Sequence, residues 1–230
     1  MEVLRLDRPE RRNAMDTTLL AALLDALSEL AGDEDLRAVV FSTTSELALS
    51  AGADVAEELD HEGGVARMAQ FTALYAAVEA FPLPTVAVCV GNVVGAGAEL
   101  AAGCDLRVGG DNLRLAWPGA KLGVPVGPAR LVPLIGLSRA KELIFTGRVV
   151  GMEEADRLGL VHRTAPAAEA EAVALDLAAA VAAHPRDGLR RLKRMFGELE
   201  HAAGRVAYEN ERLMEFQRAG DGLPRRGAQG

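Results

Sequence analysis

The stretch "GAGAEL", Gly95 to Leu100, breaks an apolar, β-branched run with glycine and sets a lone carboxylate, Glu99, three positions after Ala96. A strand that stops at a glycine turn and gives way to a helix leaves backbone N–H groups unpaired, with the positive end of the helix dipole behind them. Such an end stabilises negative charge. A dinucleotide fingerprint would need glycine at position 100, where Leu100 stands, and an acidic residue at a strand end about 20 positions on, which is lacking. A nucleophile elbow would need a serine in the turn, and Gly95, Ala96 and Gly97 offer none. A third arrangement turns the N–H groups toward a developing oxyanion and uses the carboxylate one helical turn later as acid or base. Ala96 and Glu99, at i and i+3, share the helical face this requires. The plain alternative is a first-turn glutamate favoured by the dipole alone.

Elements of the right kind surround this stretch. "EVLRLDRP" reads as a strand stopped by Pro9, and "TTLLAALLDALSELAGDEDLR" as an amphipathic helix ending near Gly32. "AVVFST" and "TVAVCV" read as buried strands, with the helix "VARMAQFTALYAAVEA" between them, closed by Pro82 and Pro84. From "SRAKELIFTG" onward the pattern turns mostly helical. Short strands alternating with helices indicate an α/β protein. The division falls near Pro166, giving a core of residues 1–165 and a helical region of residues 166–230, whose tail "DGLPRRGAQG" is expected to fray.

Composition narrows the function classes. The chain has 230 residues, half of them hydrophobic, and a formal net charge of −8. No basic stripe or arm suited to nucleic acid is visible. No apolar run reaches the roughly 20 residues that span a bilayer, and no charged n-region with a following apolar h-region opens the chain, so a cytoplasmic protein with no membrane partner is expected. Cys89 and Cys104 sit in apolar company and are expected as buried, reduced thiols. The four scattered histidines lack zinc-ligand spacings, so no metal is expected.

The blocks "LDRPERRNAMD", "SAGADV", "PTVAVCVGNVVGAGAELAAGCDLRV", "KLGV" and "LIGLSRAKELIFTGRVVGMEEADRLGLV" occur in that order. Together they resemble the crotonase (enoyl-CoA hydratase/isomerase) superfamily over residues 3 to about 195. The resemblance implies a spiral of ββα units followed by a C-terminal trimerisation region, a homotrimer or hexamer, and an acyl-CoA thioester as substrate. It implies no cofactor beyond the coenzyme A that the substrate carries. It places two oxyanion donors on the backbone N–H groups of Ala53 and Ala96, and a catalytic acid/base on Glu99. It assigns substrate contacts to Arg11, Arg12 and Ala14, to Ala51, Asp54 and Val55, and to Gly95. Trp117 could pack over an acyl group or simply fill space. In such enzymes the reaction passes through an enolate whose charge collects on the thioester oxygen.

This sequence also departs from the family pattern. Where hydratases carry a second glutamate after proline, "WPGAKLG" has Gly119, and the following glycine-rich loop is shortened to "GVPVGPARL". Glycine carries no proton, so Glu99 is expected to work as a single carboxylate. Besides the hydratase/isomerase reading, a one-carboxylate isomerase, hydrolase or decarboxylase and a non-catalytic acyl-CoA-binding subunit stay open. Restoring glutamate at 119 is expected to raise hydration if the loop has kept its shape. His61 could replace the lost acid, although an exposed loop position is the simpler reading. Asp105, Glu153, Glu154 and His162 read as structural.

Overall fold

The computed structural model describes residues 1–220 together with 222 and 223. The expectation of a fraying tail therefore falls, those two residues apart, outside the described residues. Among the described residues eight strands form two parallel sheets. β1 (Glu2–Leu6), β2 (Val39–Thr43), β4 (Thr85–Cys89), β6 (Leu106–Gly110) and β8 (Arg163–Ala165) lie in that order in the larger sheet. β3 (Ala48–Ser50), β5 (Asn92–Val94) and β7 (Arg114–Ala116) make the smaller one. Each turn of the chain gives one strand to the large sheet and the next to the small sheet: β2 then β3, β4 then β5, β6 then β7. Helix α2 (His61–Glu79) follows the first pair and α3 (Ala96–Gly103) the second. This is the expected spiral of ββα units.

The physical reason lies in burial on both faces. Every residue of β4, "TVAVC", is buried, as a parallel strand covered on each side requires. One face of the large sheet meets the main core, where Phe41, Ala87 and Cys89 pack with Leu20, Leu23 and Leu27 of α1 (Thr17–Gly32). The other face, with Val40, Val86, Val88 and Val108, is closed by Ala170, Ala174 and Ala178 of α7 (Ala170–Ala182). α7 lies beyond Pro166, so by packing it belongs with the sheet. Helices α8 (Arg186–Leu199) and α9 (Ala202–Ala219) follow, and α9 lies against α2.

Some features were not legible from pattern alone. The three strands of the small sheet have three residues each, too few for a period to register. α2 begins at His61, ahead of its apolar pattern, because the Asp60 carboxylate accepts from the Gly63 N–H at 2.7 Å. His61 is therefore an exposed residue of the first helical turn rather than of a loop. Cys89 and Cys104 are free and buried, and burial pushes both thiols up to about 12. Among the described residues no helix is long and apolar enough to cross a membrane.

α3 passes close to β3 of the small sheet. A β-carbon on Gly97 would lie 2.5 Å from the Ser50 carbonyl oxygen and 2.8 Å from Ser50 Cβ. On Gly188, in α8, a β-carbon would meet nothing within 4 Å. Gly97→Ala should therefore lower stability by about 1–3 kcal/mol through overpacking. Gly188→Ala should be neutral or stabilising by up to about 1 kcal/mol. Thermal unfolding of both variants tests the pair, and equal melting temperatures would contradict the close approach.

Candidate active site

Two backbone turns and a buried charge cluster make up the site. The first turn follows β3. Met15 N–H donates to the Gly52 carbonyl at 2.7 Å and Asp54 N–H to the Met15 carbonyl at 2.9 Å, a parallel bridge that uses the neighbours of Ala53 and not Ala53 itself. Alternation along extended backbone then directs the Ala53 N–H to the opposite side.

The second turn follows β5. Gly95 donates its N–H to the Ala116 carbonyl of β7 at 3.0 Å and then takes φ 53° and ψ −115°, a conformation that side-chain-bearing residues rarely adopt. α3 starts at the next residue, so the Ala96 N–H is a first-turn donor with no intrahelical acceptor. The two turns are neighbours, since a β-carbon on Gly52 would stand 3.6 Å from Ala96 N.

The segment around Arg11 lies against the first turn. Ala51 N–H donates to the Arg12 carbonyl at 2.9 Å, and Ser50 Oγ donates to the Asn13 carbonyl at 2.7 Å. Arg11 and Arg12 themselves are exposed. The polar work falls on two residues that sequence reasoning missed. Asn13 is buried in left-handed backbone, and its Nδ2 donates to Thr43 Oγ1, the Ala48 carbonyl and the Leu49 carbonyl. Arg8 donates to the Ala14 carbonyl at 2.6 Å and to Asp54 Oδ2 at 3.2 Å. Asp54 is thus held by Arg8 beside Ala53, while Val55, next in sequence, is exposed.

Glu99, one turn into α3, faces inward, and its side chain has no exposed surface. Arg130, from α4 (Pro128–Ile135), is equally enclosed, and its Nη1 donates to Glu99 Oε2 at 2.7 Å. The same nitrogen donates to Glu209 Oε1 of α9 at 2.8 Å. Glu209 Oε2 accepts from the Ala129 N–H at 2.8 Å. The guanidinium carbon lies 4.7 Å from the centroid of the Tyr75 ring, on α2. Burial pushes the Glu99 carboxyl up to about 7, with Glu209 adding to the rise and Arg130 opposing it. A second carboxylate therefore does reach this region. It comes from a helix 110 positions later, where no local spacing could have announced it.

Trp117 is buried at the end of β7. Its indole N–H has no well-formed hydrogen bond among the described residues, yet it helps to favour the charged form of Glu99. Gly119 is buried in a 3₁₀ turn, Pro118–Leu122, and its carbonyl accepts from the Val124 N–H at 2.9 Å. A β-carbon there would lie 2.8 Å from the Val124 carbonyl oxygen and 3.0 Å from Val126 Cγ1. The shortened loop folds back over the position, so a side chain at 119 would have to move it.

The remaining residues have structural roles. Asp105 Oδ2 accepts from Thr85 N–H at 2.7 Å and from Lys193 Nζ at 2.7 Å. His162 Nδ1 accepts from the Arg107 N–H at 3.1 Å. Glu153 and Glu154 lie in the first turn of α6 (Met152–Arg157).

This arrangement has close relatives. The profile of the enoyl-CoA hydratase/isomerase family matches residues 1–219. A protein named "Probable enoyl-CoA hydratase echA8" in Mycobacterium bovis is 35% identical over 201 residues, covering 84% of this chain and 78% of that protein. The 2,3-dehydroadipyl-CoA hydratase of Escherichia coli is 30% identical over 215 residues, covering 92% of this chain and 84% of that one. The crystal structure of an enoyl-CoA hydratase from Bacillus anthracis superposes with a TM-score of 0.79 at 26% identity, over 93% of this chain and 87% of that one. With its two sheets wound from ββα units, its C-terminal helices and a family match across nearly its whole length, the chain is a crotonase-fold, hydratase/isomerase-like enzyme and belongs to the enoyl-CoA hydratase/isomerase family.

Proposed function

We propose that the protein acts on an acyl-CoA thioester through an enolate, with the Ala53 and Ala96 N–H groups donating to the thioester oxygen and Glu99 moving the proton. The observation that carries this reading is the meeting of the two turns. A bridge that spares the Ala53 N–H lies against a helix start that leaves the Ala96 N–H unpaired, and the positions of Gly52 Cβ and Ala96 N are 3.6 Å apart. Two preorganised donors aimed at one oxygen lower the barrier to enolate formation, and losing one such donor costs about 3 kcal/mol. Glu99 sits one turn along the helix that supplies the second donor, and burial brings its carboxyl to about 7, where a group exchanges protons readily near neutral pH.

The chemistry asks for no cofactor beyond the coenzyme A of the substrate. The exposed segment at Arg11 and Arg12, hydrogen-bonded to the turn at Ala51, is the place for its nucleotide end. Because the Glu99 side chain has no exposed surface, an acyl group reaches it by displacing its cover, of which Trp117 is part.

A second reading, an acyl-CoA-binding protein without turnover, is favoured by the ion pair that ties Glu99 to Arg130 inside the core. The two readings share the oxyanion turns and differ at Glu99.

The assembly is proposed as a homotrimer or hexamer. α8 supports this, since Leu192, Met195, Phe196 and Leu199 recur at i, i+3, i+4 and i+7 and are all exposed, between 52% and 74%. A helix that turns an apolar stripe to solvent needs a partner surface.

Crotonyl-CoA should bind far more tightly than crotonate in calorimetric titration; equal or absent binding of the two would reject the thioester assignment. Glu99→Gln should lower turnover of the best thioester by about 100-fold or more and leave affinity within about twofold, because the donors are backbone groups. Unchanged turnover would remove Glu99 from the chemistry. Gly119→Glu should give no gain in hydration and a lower melting temperature, since its β-carbon meets the Val124 carbonyl. Light scattering at micromolar concentration should give a trimeric or hexameric mass that falls on Phe196→Glu, and a monomeric mass for the unmodified chain would refute the assembly.

A further inference from the structure

Arg130 treats its two carboxylates differently. Both bonds leave the same nitrogen, Nη1, one to Glu99 Oε2 and one to Glu209 Oε1. Nη2 and Nε have no hydrogen-bond partner among the described residues. Glu209 is fully engaged, its other oxygen accepting from Ala129 N–H. Glu99 is engaged through one oxygen only, and its buried Oε1 has no hydrogen-bond partner among the described residues. A guanidinium facing a single carboxylate tends to grip both oxygens in a planar fork. Here one of the two Nη1 hydrogens is diverted to Glu209, and the guanidinium plane is held over the Tyr75 ring.

We propose that Glu209 is a positioning residue for Glu99: by occupying one Nη1 hydrogen and by anchoring the first turn of α4 at Ala129, it keeps Arg130 in single-hydrogen contact with Glu99 and leaves Glu99 Oε1 open to take a proton. This rests on the reading of Glu99 as the acid/base. The groups acting on Glu99 come from every side of the cluster: Arg130 from α4, Glu209 from α9, the Trp117 indole from the end of β7, and Tyr75 from α2. Of these, Glu209 is the one carboxylate, and its charge adds to the rise in Glu99 that burial begins. Without Glu209, the second Nη1 hydrogen and the idle Nη2 turn to Glu99, the fork closes on both oxygens, and the carboxylate becomes a weaker base.

The direction on the pH axis follows. If ionised Glu99 is the base that activates water, the rate rises with pH as that carboxyl loses its proton. Glu209→Gln, which removes a negative neighbour and frees the guanidinium, should move this limb to lower pH by about one unit or more. It should also lower the plateau kcat about tenfold and leave KM within about twofold. Glu209→Asp, which keeps the charge, should retain the limb near its original position. A residue that merely braces α9 against α4 would lower the melting temperature and leave the limb in place; that result would overturn the inference and leave the proposed function standing.

Infrared titration supplies a readout that does not need turnover. A buried protonated-carboxyl band, identified by its loss in Glu99→Gln, should titrate at lower pH in Glu209→Gln than in the unmodified chain. Should Glu209→Gln fail to fold, the near-isosteric Glu209→Met is read by the same two measurements. If the unmodified chain turns over no thioester, the proposed function fails, and the infrared shift alone decides whether Glu209 governs Glu99. An unchanged band position would reject it.

Discussion

The site depends on one close approach of backbone to backbone. α3 can begin beside β3 only because Gly97 has no side chain, since any β-carbon would sit inside the contact distance of the Ser50 carbonyl. That contact ties the small sheet to the helix start and sets the spacing between the turns at Ala53 and Ala96. The rest is built outward from it. Gly95 supplies the bend that ends β5, the bridge at Met15 fixes which way the Ala53 N–H points, and Arg8 and Asn13 hold the preceding loop against the same turn. Backbone donors arranged in this way need no reorganisation when charge develops in front of them, which is where electrostatic catalysis gains most.

The charge cluster behind the turns obeys a different economy. Two carboxylates and one guanidinium removed from water carry a desolvation cost that their attraction only partly returns. The fold reduces that cost by giving every oxygen but one a hydrogen bond and by laying the guanidinium on an aromatic face. The one carboxylate oxygen of the cluster without a hydrogen bond among the described residues is on Glu99. A closed fork would satisfy that oxygen as well, so the open arrangement leaves an acceptor where the proposed proton transfer would need one.

Much of this was legible in the sequence where a local rule applied. The α/β class followed from buried apolar runs alternating with amphipathic helices, and the strand-turn-helix at "GAGAEL" followed from glycine placement before a helical pattern. Asp105 and the buried thiols of Cys89 and Cys104 were likewise readable from their neighbours. What escaped was tertiary. Asn13 directly follows two arginines that drew the attention, and only the structure shows that the asparagine bonds while the arginines face solvent. Arg130 sat in "GPARL" as one cation among many. Glu209 lies in a stretch read only as part of a mostly helical region, with nothing local to mark it. The conformation of the loop after Gly119 escaped too, because a shortened loop announces that it differs and not which way it folds.

The order of synthesis gives α9 a further consequence. Glu99 and Arg130 are made earlier, whereas α9, which packs against α2 and brings in Glu209, follows every other described helix. At about 5–20 residues per second, the gap between Glu99 and Glu209 amounts to on the order of 5 to 20 s. Through that interval the nascent chain lacks α9, which in the finished fold packs along α2 and donates from Asn210 Nδ2 to the Thr72 carbonyl. Until α9 is made, the side of α2 that it packs against stays uncovered, and the pair of Glu99 and Arg130 lacks its third member, Glu209.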